Sequence, residues 1–280
     1  MRKYFIPWVS LCLLLPDWAN AQQVHISHCL KACPTVSHQG NEVALHHLYA
    51  ASIAPQTGAV EWVAYRVLPD SVGVASLLPR YWLEDELLDA EVRLQISSPA
   101  ANFVQPDLSG AQDREYRISE VQLVSEDRGR LAPLTSFAGT PYWAELNLFS
   151  NMSALPQPLR VGAWSGLDQA INELAALGST LYVVTGPITS DDDRDTDTEG
   201  NGIGFFKAVS DGENVATFLF DVRLPPHTHF CAQLSRLETV ESAVSLALFP
   251  GIESRQGKEL ISRLGCGSGP ERAFFPIPLQ

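Results

Sequence analysis

The chain has 280 residues of near-average composition, enough for one large domain or two small ones. Its formal net charge is −13, from 19 basic and 32 acidic residues. Because non-specific affinity for nucleic acids comes mostly from Lys and Arg, this balance excludes a general phosphate-binding surface and confines any polynucleotide site to a local basic patch.

Residues 1–21 predict a secretory signal peptide. Two basic residues precede an apolar run, and Ala19-Asn20-Ala21 has the small-residue pattern of a cleavage site. The apolar run is shorter than the roughly 20 residues of a membrane span, and no later stretch is long enough. We therefore expect a mature protein of residues 22–280 that has no membrane span and is secreted or periplasmic.

Residue periodicity predicts the main elements of the mature chain. Strands with apolar alternation and one amphipathic helix are mixed without a regular strand-helix-strand repeat, and no linker divides residues 22–280. This pattern indicates a single domain of the α+β class. The predicted strands are Val43–Ser52, Glu61–Val67, Leu181–Thr185 and Ala216–Val222, and the predicted helix is Leu159–Leu177, ending at Gly178.

Two polar segments lie between these elements. Pro99–Arg117 is turn-rich and predicts a surface insertion. Asp191–Gly204 holds six acidic residues and one arginine, which is typical of a solvated loop. The EF-hand pattern fails there, since its glycine position is Thr198 and its terminal glutamate position is Gly204. The glycines at its end predict a flexible hinge rather than a phosphate loop.

Four cysteines follow the signal peptide, and in an exported chain they predict two disulfides. Three connectivities are possible. Cys29 and Cys33 are close enough to close a small loop, which leaves Cys231 with Cys266. Free thiols or a zinc half-site are the alternative, but no second Cys/His pair with zinc spacing accompanies Cys29 and Cys33.

The segment Ser125–Pro133 reads Ser-Glu-Asp-Arg-Gly-Arg-Leu-Ala-Pro. It resembles the Asp-Arg-Gly-His signature, followed by Ala-Pro, of the ββα-metal DNA/RNA non-specific endonucleases, with Arg130 in place of the histidine. Other segments resemble the same family in the same order, and the chain is identified as a member. These segments are His28–Pro34, Glu61–Arg66, Pro79–Trp82, Leu146–Met152, Leu159–Asp168, Tyr182–Pro187 and Phe218–Asp221.

The resemblance implies a ββα-metal nuclease-like fold and magnesium-dependent hydrolysis of DNA and RNA. The family uses the signature histidine as base, an asparagine to hold magnesium, a glutamate to orient its waters and an arginine to bind substrate. The resemblance also implies nucleic acid as ligand and leaves a homodimer open. In this chain Arg130 takes the base position, Arg160 the metal-ligand position, Asp168 the glutamate position and Arg80 the substrate position, surrounded by Asp127, Arg128, Asn147 and Asn151.

Two of these replacements predict loss of normal catalysis. The guanidinium of Arg130 stays protonated and cannot act as a base. At Arg160 a guanidinium offers magnesium no lone pair and repels it. A continuous helix would place Arg160 and Asp168 about 12 Å apart along its axis. We expect Arg80, Arg128, Arg130 and Arg160 to form a metal-free pocket in a pseudonuclease that binds nucleic acid, nucleotide or another phosphate-bearing ligand.

Two alternatives remain at this point. In the first, Arg130 pairs with Glu126 and Arg160 contacts Trp164 or Asp168, which leaves a filled site on a protein-interaction module. The acidic run then mimics nucleic acid or covers the groove. In the second, an active enzyme uses a rearranged metal site with another base. The candidates for the new base and metal ligand are His47, His227 and His229, with Asp127 and Asp168 as carboxylates.

Overall fold

The computed structural model describes residues 26–34, 40–80, 82–96, 129–188, 204–252 and 255–267. Within these ranges one sheet has strands β1 to β7 paired antiparallel in chain order, and the short strand β8 pairs parallel with β6. The strands are β1 (Glu42–Leu45), β2 (Tyr49–Ile53), β3 (Val60–Val67), β4 (Leu181–Ile188), β5 (Gly204–Ser210), β6 (Asn214–Asp221), β7 (Leu234–Ser235) and β8 (Arg255–Gln256).

Helices are short except for one on the sheet. They are α1 (Ala90–Ile96), α2 (Gln157–Leu159), α3 (Ser165–Ala176), α4 (Leu237–Val244) and α5 (Lys258–Ile261), with π-helical turns at Arg160–Trp164 and Ser262–Cys266. Turns of 3-10 helix lie at Pro69–Ser71, Leu134–Ser136, Trp143–Asn147, Phe149–Asn151 and Phe230–Gln233. None of the helices in the described ranges is long and apolar enough to cross a bilayer.

Both faces of the sheet are covered. Along β3, Val63 and Tyr65 belong to the apolar cluster shared with α3, whereas Trp62 and Ala64 belong to the cluster shared with α4. Successive strand side chains point to opposite faces, so this is the alternation predicted for Glu61–Val67. The predicted α+β class is confirmed.

Both predicted disulfides are present. Cys29 bonds to Cys33, and Cys231 bonds to Cys266 across a sequence separation of 35. The first closes a small loop near the start of the described chain. The second ties the segment after β6 to the end of the last helical turn.

The prediction of one strand from Val43 to Ser52 is wrong, because residues 46–48 turn the chain between β1 and β2. The backbone N of His46 donates to the carbonyl oxygen of Tyr49 at 2.9 Å and closes the hairpin. Since this turn contains neither glycine nor proline, the apolar pattern alone gave no sign of it.

The flexible hinge predicted at the end of the acidic run is wrong at Gly204, which begins β5. A Cβ at Gly204 would lie 2.6 Å from the carbonyl oxygen of Phe220 on β6, so the close pairing of the strands favours glycine there. Residues 189–203, with most of the acidic run, and residues 97–128, with the predicted insertion, lie outside the described residues.

The helix predicted from Leu159 to Leu177 is broken near its beginning. Gly162 has φ −103° and ψ −115°, outside the helical region, and α3 begins only at Ser165. A Cβ at Gly162 would lie 2.2 Å from the carbonyl oxygen of Pro226, which identifies the neighbour against which the break is packed. The continuous-helix spacing between residues 160 and 168 therefore does not apply.

The far end of the same helix agrees with the prediction. Gly178 has φ +104°, and its backbone N donates to the carbonyl oxygen of Ala175 at 2.8 Å. A glycine after the last helical turn adopts this left-handed conformation at little cost.

We expect Gly162→Ala to lower the free energy of unfolding by about 1–3 kcal/mol, because its methyl group collides with backbone rather than with a flexible side chain. Gly166→Ala is the matched control, since its Cβ would lie 3.4 Å from Phe230 in ordinary contact. The control should be as stable as the parent or more stable, because alanine favours helix. Urea unfolding measures both, and equal stability of the two variants would contradict the packed break.

Candidate functional site

The described part of the signature begins at a glycine that its surroundings require. Gly129 has φ +72°, and a Cβ there would lie 1.7 Å from the carbonyl oxygen of Ser153. The backbone N of Ser153 donates to the Gly129 carbonyl oxygen at 2.9 Å, and Arg130 bridges Met152 antiparallel. This pairing fixes the direction of the Arg130 side chain. The predicted site residues Asp127 and Arg128, and also Glu126, lie outside the described residues.

Arg130 is buried, with 5% of its surface exposed. Its Nη2 donates to Oδ1 of Asn147 at 2.5 Å, and its Cζ lies 4.5 Å from the centre of the Trp82 ring. Hydrogen bonding and a cation–π contact therefore hold the guanidinium from two sides. A guanidinium is a donor without an acceptor atom, so Arg130, which is predicted to stand at the base position, cannot take a proton from water.

The two predicted asparagines are fully buried and join chain segments. Asn151 Oδ1 accepts from the backbone N of Ala132 at 2.8 Å, and its Nδ2 donates to the carbonyl oxygens of Ala132 and Leu146 at 3.0 Å each. Asn147 Nδ2 donates to the carbonyl oxygen of Pro79 at 3.3 Å. These bonds bring the segments of Arg80, Arg130 and both asparagines together.

A second buried network lies beside the asparagines. Oδ2 of Asp85 contacts His46 Nε2 at 2.7 Å and accepts a short hydrogen bond from Ser150 Oγ, and Tyr49 OH lies 2.7 Å from Ser150 Oγ. The network connects the β1–β2 hairpin to the turn that carries Asn151. Since Asp85 and Ser150 both face Nε2 of His46, the set lacks the geometry of a nucleophilic triad.

Asp168 is paired with a lysine that the sequence did not bring to attention. Nζ of Lys207, on β5, forms a short hydrogen bond and ion pair with Oδ1 of Asp168, and the Lys207 side chain is fully buried. The same Nζ lies 3.8 Å from the centre of the Trp164 ring. Burial lowers the pKa of Lys207, and the Asp168 charge partly opposes that change. Lys207 thus contacts Asp168 and Trp164, the two residues predicted above as contacts of Arg160.

Lys207 was missed because β5 was not predicted. The available signal was a single lysine inside the apolar sequence Gly-Phe-Phe-Lys-Ala-Val-Ser. A lysine in a strand buried on both faces requires a partner, and a carboxylate on the packed helix is the natural one.

The other predicted positions within the described residues are half-buried or exposed. Arg80 and Arg160 are half-buried, and Arg160 stands just before the break in the helix. His47 is exposed and bound to Glu145, with Nδ1 at 2.5 Å from Oε1. His229 accepts from the backbone N of Cys231 at 3.2 Å through Nδ1, and His227 is exposed.

The residues at the family's magnesium positions do not fit that ion. A guanidinium at Arg160 has no lone pair for magnesium, and the carboxylate of Asp168 is engaged by the ammonium of Lys207. No group of three or more His, Cys, Asp and Glu side chains with the spacing of a metal site occurs among the described residues.

Fold and signature together define a protein of the nuclease type, and comparison with known proteins agrees. The family model for DNA/RNA non-specific endonucleases matches residues 32–232. The chain therefore belongs to the DNA/RNA non-specific endonuclease family.

One curated protein and one solved structure are similar to this chain. A nuclease of Serratia marcescens is 27% identical over 265 residues, covering 90% of this chain and 92% of the relative. A chain in the crystal structure of the EndoG/EndoGI complex superposes with a TM-score of 0.53 at 19% identity, covering 75% of this chain and 86% of that chain. This structural likeness supports the fold.

We expect Asp85→Asn to lower the free energy of unfolding by about 1.5–3 kcal/mol at pH 7, since hydrogen bonds to a charged acceptor are lost. Burial raises the pKa of Asp85, but hydrogen bonds from His46, Ser150 and the backbone N of Leu87 outweigh it and hold the pKa below its ordinary value.

This stabilisation is present above the unfolded pKa of about 3.9 and disappears as the pH falls through the lower folded pKa. Chemical unfolding from pH 7 to pH 3 should therefore show the difference between Asp85→Asn and the parent shrinking in the acid range. A difference that stays constant would contradict a charged, hydrogen-bonded Asp85.

We expect Lys207→Met to destabilise the protein by about 3–5 kcal/mol, because it removes the buried ammonium that pairs with the carboxylate of Asp168. The double variant Lys207→Met with Asp168→Leu removes both charges and should recover most of the loss. Urea unfolding of the parent, single and double variants measures the coupling. A single variant as stable as the parent would contradict the buried ion pair.

Proposed function

We propose that this protein is a catalytically impaired member of its family that binds a phosphate-bearing ligand, nucleic acid or nucleotide, without cutting it. The observation that carries the proposal is the state of Arg130. Hydrolysis by activated water needs a general base, and the residue at that position is a buried guanidinium bonded to Asn147. Proton transfer from water to this group has no acceptor atom.

Loss of the magnesium site is the second part of the proposal. Arg160 and Asp168 stand where the family holds the ion and its waters, and neither is chemically disposed to do so in this chain. Without a cation on the phosphoryl oxygens the transition state loses its main charge stabilisation. Base and metal ligand are therefore replaced together.

The ligand's phosphate is assigned to Arg80 and Arg160, with Arg128 as a third guanidinium. Arginine forks bind phosphate oxygens in bidentate pairs, which makes a metal-free anion site chemically reasonable. Arg130 contributes fixed positive charge without touching the ligand, since its burial leaves little surface for direct contact. Because the chain is acidic overall, this local patch carries the attraction for phosphate.

Export and assembly complete the proposal. Two disulfides support an oxidising compartment, consistent with residues 1–21 as a signal peptide and 22–280 as the mature domain. Secretion or a periplasmic location follows from that assignment. The homodimer that the family resemblance leaves open stays a prediction.

We expect purified mature protein to leave plasmid DNA and RNA intact in the presence of magnesium or manganese, because the base and the metal ligand are missing. Gel electrophoresis measures this directly. Degradation that disappears in Arg80→Ala would instead establish an active enzyme with a rearranged site. The variant Arg130→His with Arg160→Asn restores the family's residues and should gain magnesium-dependent cleavage if only these positions were lost.

The same preparation tests binding. Titration of a labelled single strand at two salt concentrations should give an affinity that falls with salt, as expected for phosphate contacts. Arg80→Ala and Arg160→Ala should weaken it. Arg263→Ala is the matched control, since Arg263 pairs with Asp211 and contacts Ser179, beyond the end of α3 opposite to Arg160. Absence of binding at low salt would favour a protein-interaction module.

A further inference from the structure

An aromatic stack stands at the protein surface close to the candidate site. The rings of His47 and Tyr142 are parallel, with centroids 4.1 Å apart and an interplanar angle of 1°. The His47 side chain is 61% exposed and Tyr142 is 46% exposed. Two flat rings therefore face solvent in one fixed orientation. This pair is called the His47–Tyr142 stack below.

Glu145 holds the stack in place. Its Oε1 lies 2.5 Å from His47 Nδ1, and its Oε2 accepts from the backbone N of His47 at 2.9 Å. Both carboxylate oxygens are engaged by the same residue, so the plane of the imidazole is set before any ligand arrives. Preorganised rings lose little conformational entropy when another group packs on them.

The stack and the hydrogen bond between Arg130 and Asn147 share one structural element. Glu145 and Asn147 both belong to the 3-10 turn Trp143–Asn147, about 4 Å apart along its axis and with side chains about 120° apart. Asn147 is fully buried and accepts the hydrogen bond from Arg130, whereas Glu145 supports the stack on the outside. The stack and the hydrogen bond of Arg130 are therefore connected through one short turn.

We propose that the His47–Tyr142 stack is a platform for a nucleobase of single-stranded nucleic acid. The inference rests on the proposed function and narrows its ligand. Bases stack on aromatic side chains without regard to sequence, provided that they are not already stacked in a duplex. Because the protein is acidic overall, it has no general positive charge to attract the strand, and this apolar contact supplies affinity instead.

The test measures the binding of a fluorescein-labelled short oligothymidylate to the full mature protein by fluorescence anisotropy. An abasic strand of the same length and an oligothymidylate–oligoadenylate duplex are the comparison probes. Tyr142→Ala should weaken oligothymidylate binding about five-fold or more, because base–aromatic stacking contributes about 1–3 kcal/mol per base. Tyr142→Phe should bind like the parent, since it keeps the ring.

Binding of the abasic strand should be weaker than that of oligothymidylate and should not change in Tyr142→Ala. The salt dependence should also stay the same in that variant, because no phosphate contact is removed. Thermal unfolding checks that the exposed substitution leaves the fold intact.

Three results overturn the platform. The first is an oligothymidylate affinity that does not change in Tyr142→Ala. The second is an equal affinity for the base-containing and the abasic strand. Either result would mean that the protein binds phosphate without using the stack. The third is duplex binding that depends on Tyr142 as strongly as single-strand binding does, which would mean that the stack contacts some group other than an unstacked base. If no strand binds the parent protein at low salt, nucleic acid is excluded as the ligand of the proposed function, and the platform fails with it.

Discussion

The buried guanidinium of Arg130 is the constraint on which the candidate site depends. A permanent charge enters a protein interior at high cost unless its donors and its charge find partners. Asn147 accepts one N–H group, and the ring of Trp82 faces the cation at 4.5 Å. The same Asn147 amide holds the carbonyl of Pro79. Arg130 is therefore part of the local packing, and its contacts connect the chain segments around it.

Lys207 is a second buried cation, and it contacts the helix that carries Asp168. Lys207 reaches from β5 through the apolar cluster to the carboxylate of Asp168 and the ring of Trp164. Breaking such a pair from one side leaves an uncompensated buried charge, which makes it hard to alter one partner alone. The carboxylate of Asp168 is thus committed to a contact within the fold.

Sequence reasoning succeeded wherever the cause was local. The alternation in Glu61–Val67 follows from the two-residue period of a strand, and the end of α3 follows from the freedom of Gly178 to adopt positive φ. Both disulfides followed from the short loop between the first two cysteines. Local rules failed at residues 46–48, because the turn there contains neither glycine nor proline, and at Gly162, because a distant neighbour, Pro226, packs against the backbone.

The sequence by itself determined the family and the α+β class. It also determined that residues 130 and 160 are arginines, whose side chains neither accept a proton nor bind magnesium, because residue identity alone decides these properties. Only the tertiary structure decided the partners. It broke the helix at Gly162 against Pro226, paired Asp168 with Lys207 and set His47 parallel to Tyr142. These contacts join residues far apart in the chain, and no periodicity or spacing encodes which of them meet.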